Sequence, residues 1–268
     1  MKLRLCASIP AVSEDRSLCL KYLEAADRLG LTGIEVKLGN HRLISEDTQG
    51  WLREDLEGYD FEPYAHLPYL HGNVNIASQD ESLANRACQV LYDSIEYAAD
   101  LGCSLVNTHI GVAIGNGPFI ERAAARIDRM EMRVADMGVE IAIENQESGC
   151  NGTLNSPRDI EELLACKPDV LLTFDAGHAN TNGFGVREFL PSVLPRLRYL
   201  HLHDNHGGTD EHLSLGQGDI DFGYLLSRIA DLDTDWEAMP ATLELRLSDL
   251  EPSVALVRGT CPDPISLI

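Results

Sequence analysis

Seven metal-capable side chains stand at or just past the carboxyl ends of six short apolar runs: His66 in YAHLPY, His109 in VNTHIG, Glu144 in IAIEN, Asp175 and His178 in TFDAGH, His201 in YLHLHDN and Glu244 in TLELR. Imidazole nitrogens and carboxylate oxygens are the donors that hold Zn2+, Mn2+ and Mg2+. A lone histidine at such a place is usually structural, but the set is harder to explain that way. Burying Glu144, Asp175 and Glu244 unpaired within apolar strands is costly, and a divalent cation offsets that cost most simply. A further pair, Asp210 and His212 in DEHLSLGQG, has the Asp-x-His spacing that presents both side chains to one ion when the chain is extended.

These residues can meet only if the fold gathers them. Runs rich in Val, Ile and Leu recur at Leu3–Ile9, Gly33–Leu38, Phe61–Leu67, Leu105–Gly111, Glu140–Asn145, Val170–Asp175, Arg198–Asp204 and Thr242–Arg246. Helical periodicity follows most of them, the signature of repeated β-α units and a parallel sheet. Helices are expected from Ser13 to Gly30, from Asp80 to Gly102, from Pro118 to Gly138, from Ser156-Pro157 to Cys166 and from Asp221 to Ala230, with shorter ones near Glu46–Leu56 and Val186–Leu194. Ser before Pro is a good start signal for the helix at 157. Eight units with no linker and no GxGxxG fingerprint after the first strand favour one α/β domain, a (β/α)8 TIM barrel over residues 1–268, against an open doubly wound sheet. The glycine-rich Gly111–Gly117 then reads as a barrel loop. In a barrel all strand carboxyl ends open on one face, so residues remote in sequence become neighbours.

Composition narrows the partners. The chain of 268 residues carries 43 acidic and 21 basic residues, a net charge of −22, and only four lysines (2, 21, 37 and 167). That field repels phosphate backbones, which disfavours nucleic acid. No run reaches the ~18 apolar residues of a membrane span. Seven scattered cysteines without CxxC pairing favour reduced thiols and a cytoplasmic location over a disulfide framework.

Taken in order, HLPY at 66–69, THIG at 108–111, IEN at 143–145, DAGHA at 175–179, HLHDN at 201–205, DEHLSLGQGDIDF at 210–222 and LELR at 243–246 resemble the xylose-isomerase-like TIM-barrel superfamily. That superfamily joins sugar isomerases and epimerases with apurinic endonucleases of the endonuclease IV type. The resemblance implies that Glu144, Asp175, His201 and Glu244 hold one Mn2+, Mg2+ or similar ion. The endonuclease pattern adds His66, His109, His178, Asp210 and His212 and implies up to three Zn2+ ions, with Glu144 bridging two. The GAHVS of such endonucleases is absent from the first strand, LCASIP, and the segment GIEVKLGNHRLI also departs from them.

With a sugar, a sugar phosphate or a related polyol as substrate, one ion stabilises an enediolate while Glu144 and Glu244 act as acid and base from opposite sides. His178 then contacts a hydroxyl, Lys37 and Arg246 are the candidate anion contacts, and Tyr69 and His71 wall the pocket. Asn145, His203 and Asp204 are placed to orient ligands by hydrogen bonds from behind. The competing readings are zinc-dependent hydrolysis of abasic DNA and a barrel that binds without turnover. The last would be favoured if the carboxylates were engaged in salt bridges instead of metal, for example Glu244 with Arg246 of a neighbouring chain. The sequence leaves room for a homo-oligomer.

Overall fold

The computed structural model describes residues 2–69, 74–113, 118–147, 153–232, 236–262 and 265–268. Eight parallel strands close into a barrel: β1 (Lys2–Ile9), β2 (Gly33–Lys37), β3 (Glu62–His66), β4 (Leu105–Thr108), β5 (Glu140–Glu144), β6 (Leu171–Asp175), β7 (Leu197–Leu202) and β8 (Met239–Leu243). Each pairs with the next, and β1 closes the ring by pairing with both β2 and β8. Because β1 meets β2 only from Cys6 onward, its first residues have a free edge there. The short β9 (Ser266–Leu267) occupies it, pairing with Lys2 and Leu3.

Around the barrel lie α1 (Arg16–Arg28), α2 (Glu46–Leu56), α3 (Glu81–Asp100), α4 (Phe119–Val134), α5 (Pro157–Cys166), α6 (Ala176–Thr181), α7 (Val186–Val193), α8 (Phe222–Ala230) and α9 (Leu250–Thr260). Their caps follow from residue chemistry: Asp80 and Asp221 accept backbone N–H bonds at the starts of α3 and α8, and Ser156 with Asp159 forms a reciprocal capping box ahead of Pro157. The helices' apolar faces pack on the outer face of the barrel to make the main core. Among the described residues no helix is long and apolar enough to cross a membrane.

The structure corrects several boundaries. Helix α1 is capped by Asp15, not Ser13, which lies in a preceding 3-10 turn. Strand β4 stops at Thr108 instead of Gly111. Beyond it Ile110 takes a hydrogen bond from Ala77, and Gly111 turns to φ 104°. Strand β8 begins at Met239 and ends at Leu243, three residues earlier than expected. It contains Pro240, which suggests a break in the sequence but is tolerated near a strand start. The short helix α6, the final helix α9 and β9 were not anticipated.

Inside the barrel, strand pleating puts residues i and i+2 on the same face. Cys6, Tyr64, Leu105, Ala142 and Tyr199 form a separate buried apolar cluster there. Two residues further along the same strands stand Ser8, His66, Asn107, Glu144 and His201, all buried. The polar layer thus rests on an apolar plug at the carboxyl end of the barrel.

Candidate metal centre

Glu144, fully buried at the end of β5, is the hub. Its Oε2 accepts from the Asn107 side-chain amide and lies 3.0 Å from His109 Nε2 and 3.2 Å from His66 Nε2. Its Oε1 faces the other way, 3.1 Å from His201 Nδ1 and 3.4 Å from His178 Nδ1. His201 Nδ1 is also 3.6 Å from Glu244 Oε1 and 3.8 Å from Asp175 Oδ2. An ion bound about 2.1 Å from each donor separates neighbouring donors by about 3.0–3.4 Å. The contacts around His201 Nδ1, from 3.1 to 3.8 Å, fit that requirement with small adjustments.

A second group surrounds Asp210, whose carboxylate lies 2.9 Å from His212 Nε2, 3.5 Å from His203 Nδ1 and 3.7 Å from His178 Nε2. The buried His203 Nδ1 and Asp210 Oδ1 have no hydrogen-bond partner, an orphaned donor pair of the kind a cation would satisfy. All nine sequence-derived ligand candidates therefore converge on one rim, and sets of three, two of them completed by His203, come close enough to share an ion. The mixture of imidazole and carboxylate suits Zn2+ or Mn2+.

The rings are aimed by their far nitrogens. His66, His178 and His212 each place Nδ1 on a backbone carbonyl, of Leu67, Asn145 and Glu244, at 2.9, 2.9 and 2.7 Å. A carbonyl needs an N–H, so in the neutral ring the lone pair falls on Nε2, which faces the carboxylates. His212 holds this pose with a left-handed backbone, φ 49°, a strained conformation for a side chain of its size. Gly177 makes room for His203: a Cβ there would collide with the His203 ring.

Charge balance within the cluster is set by neighbours. Burial raises the pKa of Glu144, but His201 and His109 outweigh it and hold the carboxylate well below the usual range. Burial likewise raises Glu244, and Lys37, whose ammonium is 3.0 Å away, pulls it well below. Burial works against charge on His201, His178 and His212, yet the surrounding carboxylates raise all three, His201 chiefly through Glu35 and His178 chiefly through Asp175. His109 goes the other way, lowered by burial.

The remaining expectations divide. Lys37 and Tyr69 line a cavity of about 220 Å3 with His66, His109, Glu144 and Glu244. The Tyr69 ring lies 4.8 Å from that of His66. Arg246 is exposed and lines an adjoining cavity beside Lys37, and Glu244 pairs with Lys37 of its own chain. His71 lies outside the described residues. His203 touches a ligand candidate directly, 3.1 Å from Asp175. Asn145 orients a ligand candidate through its backbone, its carbonyl holding His178 Nδ1 at 2.9 Å, while its side-chain amide is hydrogen-bonded to the backbone N–H and C=O of Asp175 and ties β5 to β6. Asp204 is turned away from the ligands: it accepts backbone N–H bonds from Gly216, Gly218 and Ile220 and so shapes the loop that carries Asp210 and His212. Glu35 was missed. It is fully buried on β2, and its Oε2 lies 2.7 Å from His201 Nε2. Its signal was parity, since it shares a strand face with Lys37.

A closed parallel barrel with this rim defines a class, and the chain belongs to the xylose isomerase-like TIM barrel family, which it matches over residues 23–255. Among solved structures it is similar to a D-tagatose 3-epimerase-like protein, with a TM-score of 0.81 and 22% identity over 96% of both chains, a likeness of fold. It is also similar to a Thermus thermophilus protein whose crystals were soaked with ZnCl2, with a TM-score of 0.73 and 25% identity over 97% of this chain and 98% of that one. A probable endonuclease 4 of Thermotoga sp. strain RQ2 is 30% identical over 184 residues, which span 61% of this chain and 62% of the relative.

Proposed function

We propose that this chain is a divalent-metal-dependent isomerase or epimerase of a sugar, sugar phosphate or related polyol. The observation that carries the reading is that Glu144 and Glu244 both face one donor, His201 Nδ1, at 3.1 and 3.6 Å, while both also line the cavity. At about 220 Å3 the cavity lies below the ~300–1,000 Å3 of ordinary ligand pockets and suits a small polar molecule. Glu144, Asp175, His201 and Glu244 would hold the ion. When bound, it would supply Lewis-acid polarisation of a substrate carbonyl.

Proton transfer would fall to the two glutamates. Both are held ionised by their neighbours, so either can act as the base that removes a proton beside the carbonyl. The other would serve the opposite side of the reacting carbon. Lys37 restrains Glu244 and places a cation beside a developing oxyanion, and His178 at the cavity wall is placed to meet a hydroxyl. Arg246, at the adjoining cavity, would meet an anionic substituent.

A specific feature favours a second reading. Glu144 turns its two oxygens to two different ligand groups, and a one-ion mechanism leaves His66, His109 and Asp210 without a chemical role. A two- or three-zinc centre hydrolysing a phosphoester would use them. The net charge of −22 opposes DNA as the substrate. Elemental analysis together with two assays separates the readings. About one Mn or Mg per chain, with solvent deuterium entering a ketose beside its carbonyl, is expected. Two or three Zn with nicking of an abasic-site oligonucleotide would replace the first reading by the second.

A further inference from the structure

Glu35 is a carboxylate with no exposed surface, placed inside the barrel where an ion must be held by partners. It has three, from two other strands. Oε1 accepts from Ser8 Oγ of β1 at 3.3 Å, and Oε2 accepts from the Tyr199 hydroxyl of β7 at 2.9 Å and faces His201 Nε2, also of β7, at 2.7 Å. The Tyr199 hydroxyl in turn meets that of Thr242 on β8 at 2.7 Å. The carboxylate is thus itself oriented before it meets the imidazole.

His201 differs from its neighbours in the rim. His66, His178 and His212 rest Nδ1 on backbone carbonyls, whereas His201 is turned the opposite way, with Nε2 on a carboxylate from across the barrel and Nδ1 toward Glu144, Asp175 and Glu244. A carboxylate behind an imidazole fixes the ring's proton and rotation and strengthens the opposite nitrogen as a ligand. On the metal-centre reading above, we propose that Glu35 is the positioning residue of His201. It holds Nε2–H and so presents the Nδ1 lone pair to the cation that Glu144, Asp175 and Glu244 share.

Zinc titration by calorimetry of the parent protein, Glu35→Ala, Glu35→Gln and Tyr199→Phe tests this. It is combined with the ring 15N shifts of His201 in the zinc-loaded parent, assigned with His201→Gln. Zinc on Nδ1 and a proton on Nε2 are expected, with Glu35→Ala binding zinc about 10- to 100-fold more weakly. Glu35→Gln, whose amide oxygen still accepts from Nε2–H, should recover most of that loss. Tyr199→Phe, which keeps the Glu35–His201 pair, should bind close to the parent. Zinc on Nε2 of His201, or a folded Glu35→Ala with parental affinity, overturns the role of Glu35 alone. Failure of the parent to bind zinc or manganese overturns the metal reading with it. If Glu35→Ala does not fold, the ring assignment in the parent decides the matter.

Discussion

Cys6, Tyr64, Leu105, Ala142 and Tyr199 pack as an apolar plug, while one pleat above them on the same strands stand Ser8, His66, Asn107, Glu144 and His201. The two layers share backbone, burial and sheet register, yet their side chains have opposite chemistry. The lower layer gains stability by excluding water, and burial pushes the Cys6 thiol far up, where it is inert. The upper layer keeps charges under the same exclusion, at a cost in the metal-free protein. A barrel can therefore separate folding from chemistry within two residues of one strand.

If that division holds, substitutions in the two layers should fail in different ways. Glu144→Gln keeps the shape of the hub and removes its charge. Turnover, followed as solvent-deuterium exchange into a ketose, should fall about 10²–10⁴-fold while the variant stays folded. Leu105→Ala, in the plug, should cost about 2–5 kcal/mol of unfolding free energy in a urea melt while the folded fraction binds metal normally. Metal loss from Leu105→Ala, or gross unfolding from Glu144→Gln, would erase the distinction between the layers.

Gly177→Ala tests the boundary between packing and chemistry, because its methyl group would strike the His203 ring. It should cost about 1–3 kcal/mol in stability and weaken metal binding at Asp175 and Asp210, both measurable on one sample by thermal melts with and without zinc. A smaller effect should appear with pH. His178, His201 and His212 have raised pKa values in the metal-free fold, so their stabilisation is complete below the ordinary histidine value of ~6.5 and is lost as pH climbs through the raised native values. The metal-free Tm should fall over that range. On the metal-centre reading an ion would replace those protons, so the gain in Tm on adding zinc should grow over the same range.

Much of the polar rim was legible because its members close apolar runs, where a charged residue stands out, and because a barrel brings all strand ends to one face. Asp80, Asp221 and Ser156-Pro157 marked helix starts by local hydrogen-bond chemistry, which needs no tertiary context. Glu35 escaped because it sits in mid-strand, with its partners on β1 and β7. Asp204, next in sequence to His203, was expected to support ligands. Its carboxylate instead closes a loop, since strand parity turns it from the face that His201 and His203 share. Strand β8 was misplaced because Pro240 masked its start, and β9 depends on an edge that exists only once β1 and β2 are paired out of step.

Crystals soaked in Mn2+ or Zn2+, with anomalous scattering recorded at the metal edge, test the central claim most directly. An ion within about 2.0–2.3 Å of Glu144, Asp175, His201 Nδ1 and Glu244 is the predicted result. Anomalous density absent from that rim, with the four side chains still engaged only with one another and with Lys37, would contradict it.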